Sequence, residues 1–173
     1  MAKKQKVFLS YVHTGKLSTV TDKNDAEYKN DFVKMYLNDE NIAISSFLED
    51  ELDASSTVTI VLIGNDTLVQ KYVLDEISFS LDTSPDKTRN GVLGIILPSY
   101  TGKLSNGLFP YYGQVKLENS SYCIDENILP EEMSSHIKSG SIKLYDWSNN
   151  PNEVEKWIHE AYESSLILKK SVS

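Results

Sequence analysis

Cysteine is almost absent from this sequence. Cys123 stands alone among 173 residues, so the chain cannot form an intrachain disulfide or a cysteine-based zinc site. The composition is otherwise ordinary for a globular protein, with 40% hydrophobic and 24% charged residues. A chain of this length buries enough apolar surface to fold without a disulfide or a metal. We therefore expect a single domain over residues 1–173.

Long apolar runs are missing as well. No segment approaches the roughly 20 apolar residues of a membrane-spanning helix, and no apolar signal-peptide region follows Lys6. We therefore predict a cytoplasmic protein that does not enter a membrane.

Positive charge is scarce relative to negative charge. The 17 lysines and arginines face 25 aspartates and glutamates, which leaves a net charge of -8. An acidic surface repels phosphate backbones, so nucleic acid is not an expected partner.

The motifs of several large enzyme classes are also absent. The sequence contains neither GxGxxG nor GxxxxGK[ST], which argues against dinucleotide-binding and P-loop enzymes. It has no GxSxG elbow, which argues against a hydrolase with a Ser-His-Asp triad. The three histidines, His13, His136 and His159, lack metal-ligand spacing. We therefore predict neither a metal site nor a bound cofactor.

Apolar runs alternate with amphipathic segments along the chain. The clearest run, residues 57–64, is continuous, β-branched and uncharged, which is typical of a parallel strand covered on both faces. Strands are predicted at residues 6–11, 41–45, 57–64, 91–98 and 141–145. Helices are predicted from Asp25 to about residue 38, from Thr67 to Leu81 and from Pro151 onward, with a short helix or turn at 46–54 and a frayed tail at 164–173.

This alternation predicts an α/β fold with a central, mainly parallel sheet and right-handed crossovers. We expect Asp25 to cap the first helix, and residues 65–67 to cap the second. The segment 99–140 has no clean periodicity, and so long a loop is often functional. Its tyrosines, Tyr100, Tyr111, Tyr112 and Tyr122, could stack on a base or cover the sheet edge, and the sequence leaves both open.

Ligands of open parallel sheets bind at the carboxyl edge of the strands. Ser10, Tyr11 and His13 follow the first strand, and Ser10 and Tyr11 are expected to face one crevice. Glu76 lies in the helix after the third strand and adjoins an apolar stripe predicted to face inward, namely Tyr72, Val73, Ile77 and Phe79. A carboxylate at such a margin has a raised pKa or a dedicated partner. The alternative is a surface glutamate paired with Lys71 or with another cation.

Five segments together resemble the TIR-like proteins of the bacterial Thoeris anti-phage system. Residues 7–11, VFLSY, are similar to the family's V-F-[IL]-S-Y-H opening, and residues 57–64, TVTIVLIG, to its T-S-V-T-I-V-L-[IV]-G strand. The helix segment 72–77, YVLDEI, is similar to [KR]-x-V-x-W-E-I. Residues 94–98, GIILP, fit the next strand, and 144–147 with 154–162 fit the last strand and helix. The segments occur in the family's order.

The resemblance implies a flavodoxin-like TIR-type three-layer fold with a five-stranded sheet. It also implies cleavage of NAD⁺, as a substrate and not as a cofactor, at the nicotinamide–ribose bond. The family's catalytic glutamate falls on Glu76, and Ser10, Tyr11, His13 and Asp75 become candidate substrate contacts. The product would be ADP-ribose or a cyclic form of it, which signals to a separate effector protein. TIR-like surfaces also self-associate, so self-association is a further implication.

The sequence departs from the family pattern at two places. Asp75 stands where the family has tryptophan, which sets two carboxylates side by side, and the 46–56 stretch is shorter than usual. Two alternatives to the NAD⁺-cleaving enzyme therefore stay open. One is a TIR-type interaction module without catalysis. The other is a nucleoside deoxyribosyltransferase-like enzyme, in which Asp75 would supply a second carboxylate.

Overall fold

The computed structural model describes residues 5–11, 23–36, 42–44, 57–64, 67, 71–82, 89–100, 115–116, 123–124, 135–137 and 139–172. For 42–44, 115–116, 123–124 and 168–172 it describes the backbone alone. Several predictions lie outside these ranges, namely those for His13, for residues 65–66, for the 46–54 segment and for Tyr111, Tyr112 and Tyr122.

Five of the strands form one parallel sheet. They are β1 (Gln5–Ser10), β2 (Ile42–Ile44), β3 (Val58–Ile63), β4 (Gly91–Ile96) and β7 (Lys143–Asp146). Their order is β2-β1-β3-β4-β7, and each neighbouring pair is parallel. The register sets Ser10 opposite Val61 and Ile63 opposite Ile96. The predicted α/β fold with a parallel sheet is thus confirmed, with strand ends within about two residues of those expected.

Strands β3 and β4 occupy the middle of the sheet. Every residue of both strands is buried, which agrees with the continuous apolar runs of their sequences. Such strands carry apolar side chains toward both faces because helices cover both faces.

Helices α1 (Asp25–Tyr36), α2 (Lys71–Leu81) and α3 (Pro151–Val172) provide that cover. On one face, Phe32 of α1 and Ile158 of α3 share a core with Ile60 and Leu62 of β3. On the other face, Val73, Ile77 and Leu81 of α2 pack against β3 and β4. Alternating residues of β3 therefore divide between two separate cores, as the period of two in a strand requires.

The first helix begins with a reciprocal cap. The side chain of Asn24 accepts a hydrogen bond from the Glu27 backbone amide at 3.0 Å, and the Glu27 carboxylate accepts one from the Asn24 amide at 2.7 Å. The prediction that Asp25 caps this helix is therefore wrong. Asp25 is the first helical residue, and it is buried at the carboxyl edge of the sheet.

The second helix presents less of its surface to the core than its sequence suggested. Val73 and Ile77 are buried as predicted, but Tyr72 and Phe79 are 37% and 40% exposed. The prediction that these two aromatic residues face inward is wrong because the core-facing stripe of this short helix runs through positions 73, 77, 80 and 81.

The third helix continues beyond the expected end. Its inner face contains Val154, Ile158 and Ala161 as predicted. The segment from residue 164, predicted as a frayed tail, has helical backbone as far as Val172. Ser165 is buried there, and its hydroxyl donates to the Tyr162 carbonyl at 2.7 Å. Among the helices of the described chain, none is both long enough and apolar enough to cross a bilayer.

Part of the segment predicted as a long loop has regular structure. Strands β5 (Val115–Lys116) and β6 (Cys123–Ile124) pair in antiparallel fashion. Strands this short gave no periodic signal in the sequence, because two residues cannot establish an alternation.

Two glycines of β4 allow a direct test of the packing. A Cβ atom at Gly91 would collide with the backbone of Ala161 and Tyr162 in α3, whereas one at Gly94 would meet the ends of the Leu144 and Ile63 side chains. Side-chain ends adjust more easily than a helix backbone. We expect Gly91→Ala to lower the free energy of unfolding by about 3 kcal/mol and Gly94→Ala by about 1 kcal/mol. Urea denaturation of both variants measures the difference, and equal losses would contradict this packing.

Candidate active site

Ser10 and Glu76 meet at the end of the first strand. Ser10 is the last residue of β1, and its hydroxyl donates a hydrogen bond to the carboxylate of Glu76 on α2. Ser10 is fully buried, and Glu76 is partly buried at the edge of the helix face that packs on the sheet. The structure thus brings together two residues that lie 66 positions apart in the sequence.

Burial governs the electrostatics of this pair. Removal from water raises the pKa of Glu76 above its ordinary value, and the hydrogen bond from Ser10 lowers it in part. Desolvation has the larger influence, so the carboxylate is less readily ionised than a surface glutamate. The prediction of a raised pKa or a dedicated partner for Glu76 is confirmed in both respects.

The neighbouring carboxylate, Asp75, has a different environment. Its side chain is 67% exposed, and it forms an (i, i+4) ion pair with Lys71 at 3.6 Å. The surface pairing considered for Glu76 with Lys71 therefore belongs to Asp75. Asp75 therefore contacts a lysine at the exposed surface of α2, whereas Glu76 contacts Ser10 of β1.

Tyr11 lies on the opposite side of the sheet from Glu76. It is buried in the core formed with α1 and α3, and the ammonium of Lys29 in α1 lies 5.2 Å from its ring centroid. The prediction that Ser10 and Tyr11 face one crevice is wrong, because successive side chains at the end of a strand point to opposite faces. Of these two residues, Ser10 is the one that faces α2.

A second group of polar residues at the same edge was not predicted as a site. The Asp25 carboxylate accepts a hydrogen bond from the Ser99 hydroxyl at 3.2 Å and packs against Gly64, where a Cβ atom would collide with it. Asp25 is only 6% exposed. Acidic residues are common in the first turn of surface helices. The sequence therefore did not indicate that Asp25 is buried.

The end of β3 is held by a buried threonine. The Thr67 hydroxyl donates to the Leu62 carbonyl at 3.1 Å and accepts from the Gly64 amide at 2.7 Å. Of the predicted cap at residues 65–67, the structure describes Thr67, which these two hydrogen bonds attach to the end of β3.

Tyr100, just beyond β4, covers the edge of the sheet. It packs against the core on the α2 side, and burial raises its pKa.

A small cavity lies elsewhere in the domain. It is lined in part by Lys143, Tyr145 and Glu160 and measures about 10 Å³, which suits one water molecule and excludes a ribose. In the ranges that the structure describes, no cluster of three or more acidic, histidine or cysteine residues could hold a metal ion.

Comparison with known families identifies the relationship. The family described as Thoeris protein ThsB, TIR-like domain, matches residues 4–101, which is more than half of the chain. The chain belongs to this family. The matched region of the TIR-like domain includes β1, β3, α2 and β4, and therefore both Ser10 and Glu76. No curated protein and no solved structure matches the chain.

The electrostatics of Glu76 predict a pH-dependent stability difference. Because its pKa is higher in the folded protein than the ordinary 4.5, the wild type loses stability as the pH rises through the interval between those two values. Glu76→Gln cannot titrate, so we expect the variant to gain stability relative to the wild type as the pH rises from 4.5 through the pKa of the folded carboxyl group. Denaturation at several pH values measures this gain, and a constant or opposite difference would show that Glu76 is not desolvated.

Proposed function

We propose that this TIR-like domain cleaves NAD⁺ at the bond between nicotinamide and ribose, with Glu76 as the catalytic residue. The observation that carries the proposal is the contact between Ser10 and the partly buried Glu76, in a chain of the ThsB TIR-like family. A fixed carboxylate with a raised pKa, located at the carboxyl edge of a parallel sheet, is a frequent feature of active sites.

The chemistry explains why a carboxylate is needed at this position. When the glycosidic bond breaks, nicotinamide leaves as a neutral molecule with the bonding electron pair, and positive charge develops on the ribose. An ionised Glu76 beside the ribose stabilises that oxocarbenium-like charge. Water then attacks the anomeric carbon and loses a proton, which yields ADP-ribose. Attack by a nucleophile within the same molecule yields a cyclic product.

Ser10 has a positioning role in this proposal. Its hydroxyl donates to one carboxylate oxygen of Glu76, which fixes the side chain and stabilises the ionised form. The other carboxylate oxygen remains the candidate contact for the ribose. Tyr11, His13 and Asp75 remain proposed substrate contacts. The exposed side chain of Asp75 and the burial of Tyr11 on the other face of the sheet do not support this role for those two residues.

The strand order supports a flavodoxin-like TIR-type architecture for the domain. If the strands of the parallel sheet are numbered in chain order, β2-β1-β3-β4-β7 becomes 2-1-3-4-5, which is the flavodoxin-like order. In that order the connections diverge at the first and third strands, here β1 and β3. Ser10 ends β1, so the proposed catalytic pair lies beside this switch point.

The family assignment suggests a place in anti-phage defence. We propose that the product, an ADP-ribose-type molecule, carries a signal in the cytoplasm to a separate effector protein. Self-association of the domain is proposed on the same ground.

A TIR-type interaction module without catalysis is the alternative function. It is favoured by the replacement of the family's tryptophan with Asp75, whose exposed side chain pairs with Lys71 and provides no aromatic wall beside Glu76. A deoxyribosyltransferase-like site would need a second carboxylate next to Glu76, and the exposure of Asp75 argues against it.

Nicotinamide release tests the proposed reaction. We expect the purified protein to release nicotinamide from NAD⁺, alone or after addition of lysate from phage-infected cells. Glu76→Gln should reduce the rate by at least about 100-fold, because charge stabilisation of the transition state is lost. Glu155→Gln, the same substitution on α3, is the control and should retain the wild-type rate. Chromatography of nicotinamide and of the co-product measures both rate and product.

The other outcomes distinguish the alternatives. No release under either condition would favour the interaction module, and release that survives in Glu76→Gln would exclude Glu76 as the catalytic residue. If Asp75→Asn also abolishes nicotinamide release, this result would favour the transferase-like reaction.

The pH dependence of the reaction provides a separate test of the Ser10 contact. If ionised Glu76 is required, activity falls as the pH drops through the pKa of this carboxylate. The Ser10 hydroxyl lowers that pKa in the wild type, so Ser10→Ala should move the acid limb of the kcat/KM profile to higher pH. A limb that stays in place would show that Ser10 does not act on the ionisation of Glu76.

A further inference from the structure

A buried chain of hydrogen bonds links the backbone of Glu76 to β3. The Ser80 hydroxyl donates to the Glu76 carbonyl at 2.8 Å and lies 2.8 Å from the Thr59 hydroxyl. The Asn90 side-chain amide donates to the same Thr59 hydroxyl at 3.2 Å, and the Asn90 backbone amide donates to the Ser80 carbonyl at 3.1 Å. Ser80, Thr59 and Asn90 are all buried.

The direction of each bond follows from the number of available protons. Ser80 has one hydroxyl proton, which it gives to the Glu76 carbonyl, so the bond between the two hydroxyls must use the proton of Thr59. Thr59 then accepts from the Asn90 amide. The chain therefore runs in one direction, from Asn90 through Thr59 and Ser80 to Glu76. Loss of the Ser80 hydroxyl removes the acceptor of the Thr59 proton, and loss of the Thr59 hydroxyl removes an acceptor of the Asn90 amide. Each loss is costly in a buried site.

The Glu76–Ser10 contact and the Ser80–Thr59 contact are separated by similar distances along the helix and along the sheet. Glu76 and Ser80 lie on one face of α2 and are separated by about 6 Å along the helix axis. Ser10 is opposite Val61 in the sheet, and Val61 is two residues from Thr59, or roughly 6.6 Å along the strand. One face of α2 is thus attached by Glu76 to β1 and by Ser80 to β3.

Apolar contacts alone would not define this arrangement. Val73, Ile77 and Leu81 attach α2 to the sheet, but hydrophobic contacts are not directional and tolerate a small slide or roll of the helix. A hydrogen bond tolerates neither, because its geometry is narrow. The Ser80–Thr59 bond therefore restricts the position of α2 along β3, and with it the position of Glu76 relative to Ser10.

We propose that Ser80 and Thr59 are positioning residues for the active site, which hold α2 in the register that allows Ser10 to reach Glu76. The proposal rests on the proposed function for its kinetic consequence, whereas its structural consequence is independent of any activity. Neither residue needs to contact the substrate, because both act through the backbone of α2.

The ionisation of Glu76 tests the proposal without a substrate. The full-length protein is labelled with ¹³C-glutamate, and the Glu76 signal is assigned by its absence in Glu76→Gln. Ser10→Ala should raise the pKa of Glu76, and Ser80→Ala should raise it in the same direction by at least about half a unit. Because both act on one contact, the double variant should show no further rise. Ser78→Ala, the same substitution at an exposed position of α2, should leave this pKa unchanged.

A pair of substitutions on β3 gives a second measurement. Thr59→Val keeps the shape of the side chain and removes its hydroxyl, so it should raise the pKa of Glu76, whereas Thr59→Ser keeps the hydroxyl and should restore the wild-type value. An unchanged Glu76 pKa in folded Ser80→Ala and Thr59→Val, even with reduced thermal stability, would overturn the proposal and leave these residues a structural role alone. Additive pKa shifts in the double variant would overturn it as well.

Kinetics separate this proposal from the proposed function. If the domain cleaves NAD⁺, Ser80→Ala should lower kcat at least about tenfold with little change in KM, because displacement of a catalytic group by about 1 Å has effects of that size or larger. An inactive wild type would contradict the proposed function, while the pKa measurements would still decide whether the network positions Glu76.

Discussion

The structure depends on the burial of two neighbouring strands on both of their faces. β3 and β4 carry apolar side chains in both directions, and their backbone groups are paired with strands on either side. Two helices must cover one face and one helix the other, since uncovered apolar faces would remain in water. Each helix consequently has a fixed relation to the carboxyl edge of the sheet, where Ser10, Gly64 and Ser99 lie. The site is located by the same burial that stabilises the fold.

The apolar face under α2 also contains polar residues. Ser10 and Thr59 point from the sheet toward α2 at positions where valine would be the ordinary choice for burial. Each has a partner on the helix, namely the carboxylate of Glu76 and the hydroxyl of Ser80. Buried polar groups without partners would destabilise the domain, so this face accepts α2 in one register. The same two contacts therefore select the position of α2 on the sheet and place the Glu76 carboxylate.

Desolvation of Glu76 is the other consequence of this placement. A carboxylate at the margin of the α2 core is held partly out of water, which raises its pKa, while Asp75, one residue earlier, remains exposed beside Lys71. A rotation of about 100° along the helix separates these two environments. Neighbouring acidic residues in one segment therefore have different environments, because Glu76 contacts Ser10 of β1 and Asp75 pairs with Lys71 at the surface.

The sequence alone predicts the α/β class, the order of its elements and the central position of β3. These follow from local signals, because continuous β-branched runs and helical apolar stripes report burial directly. The choice of Glu76 needed the family resemblance as well, because its place beside an apolar stripe also fitted a surface glutamate. Two features were settled only by the folded chain, namely the contact of Ser10 with Glu76 and that of Ser80 with Thr59. Both join side chains from distant segments, and distances between segments are set by packing, which leaves no local trace in the sequence. The Asn24–Glu27 cap and the opposite directions of Ser10 and Tyr11 are local instead, because they follow from a spacing of three residues and from the alternation of a strand.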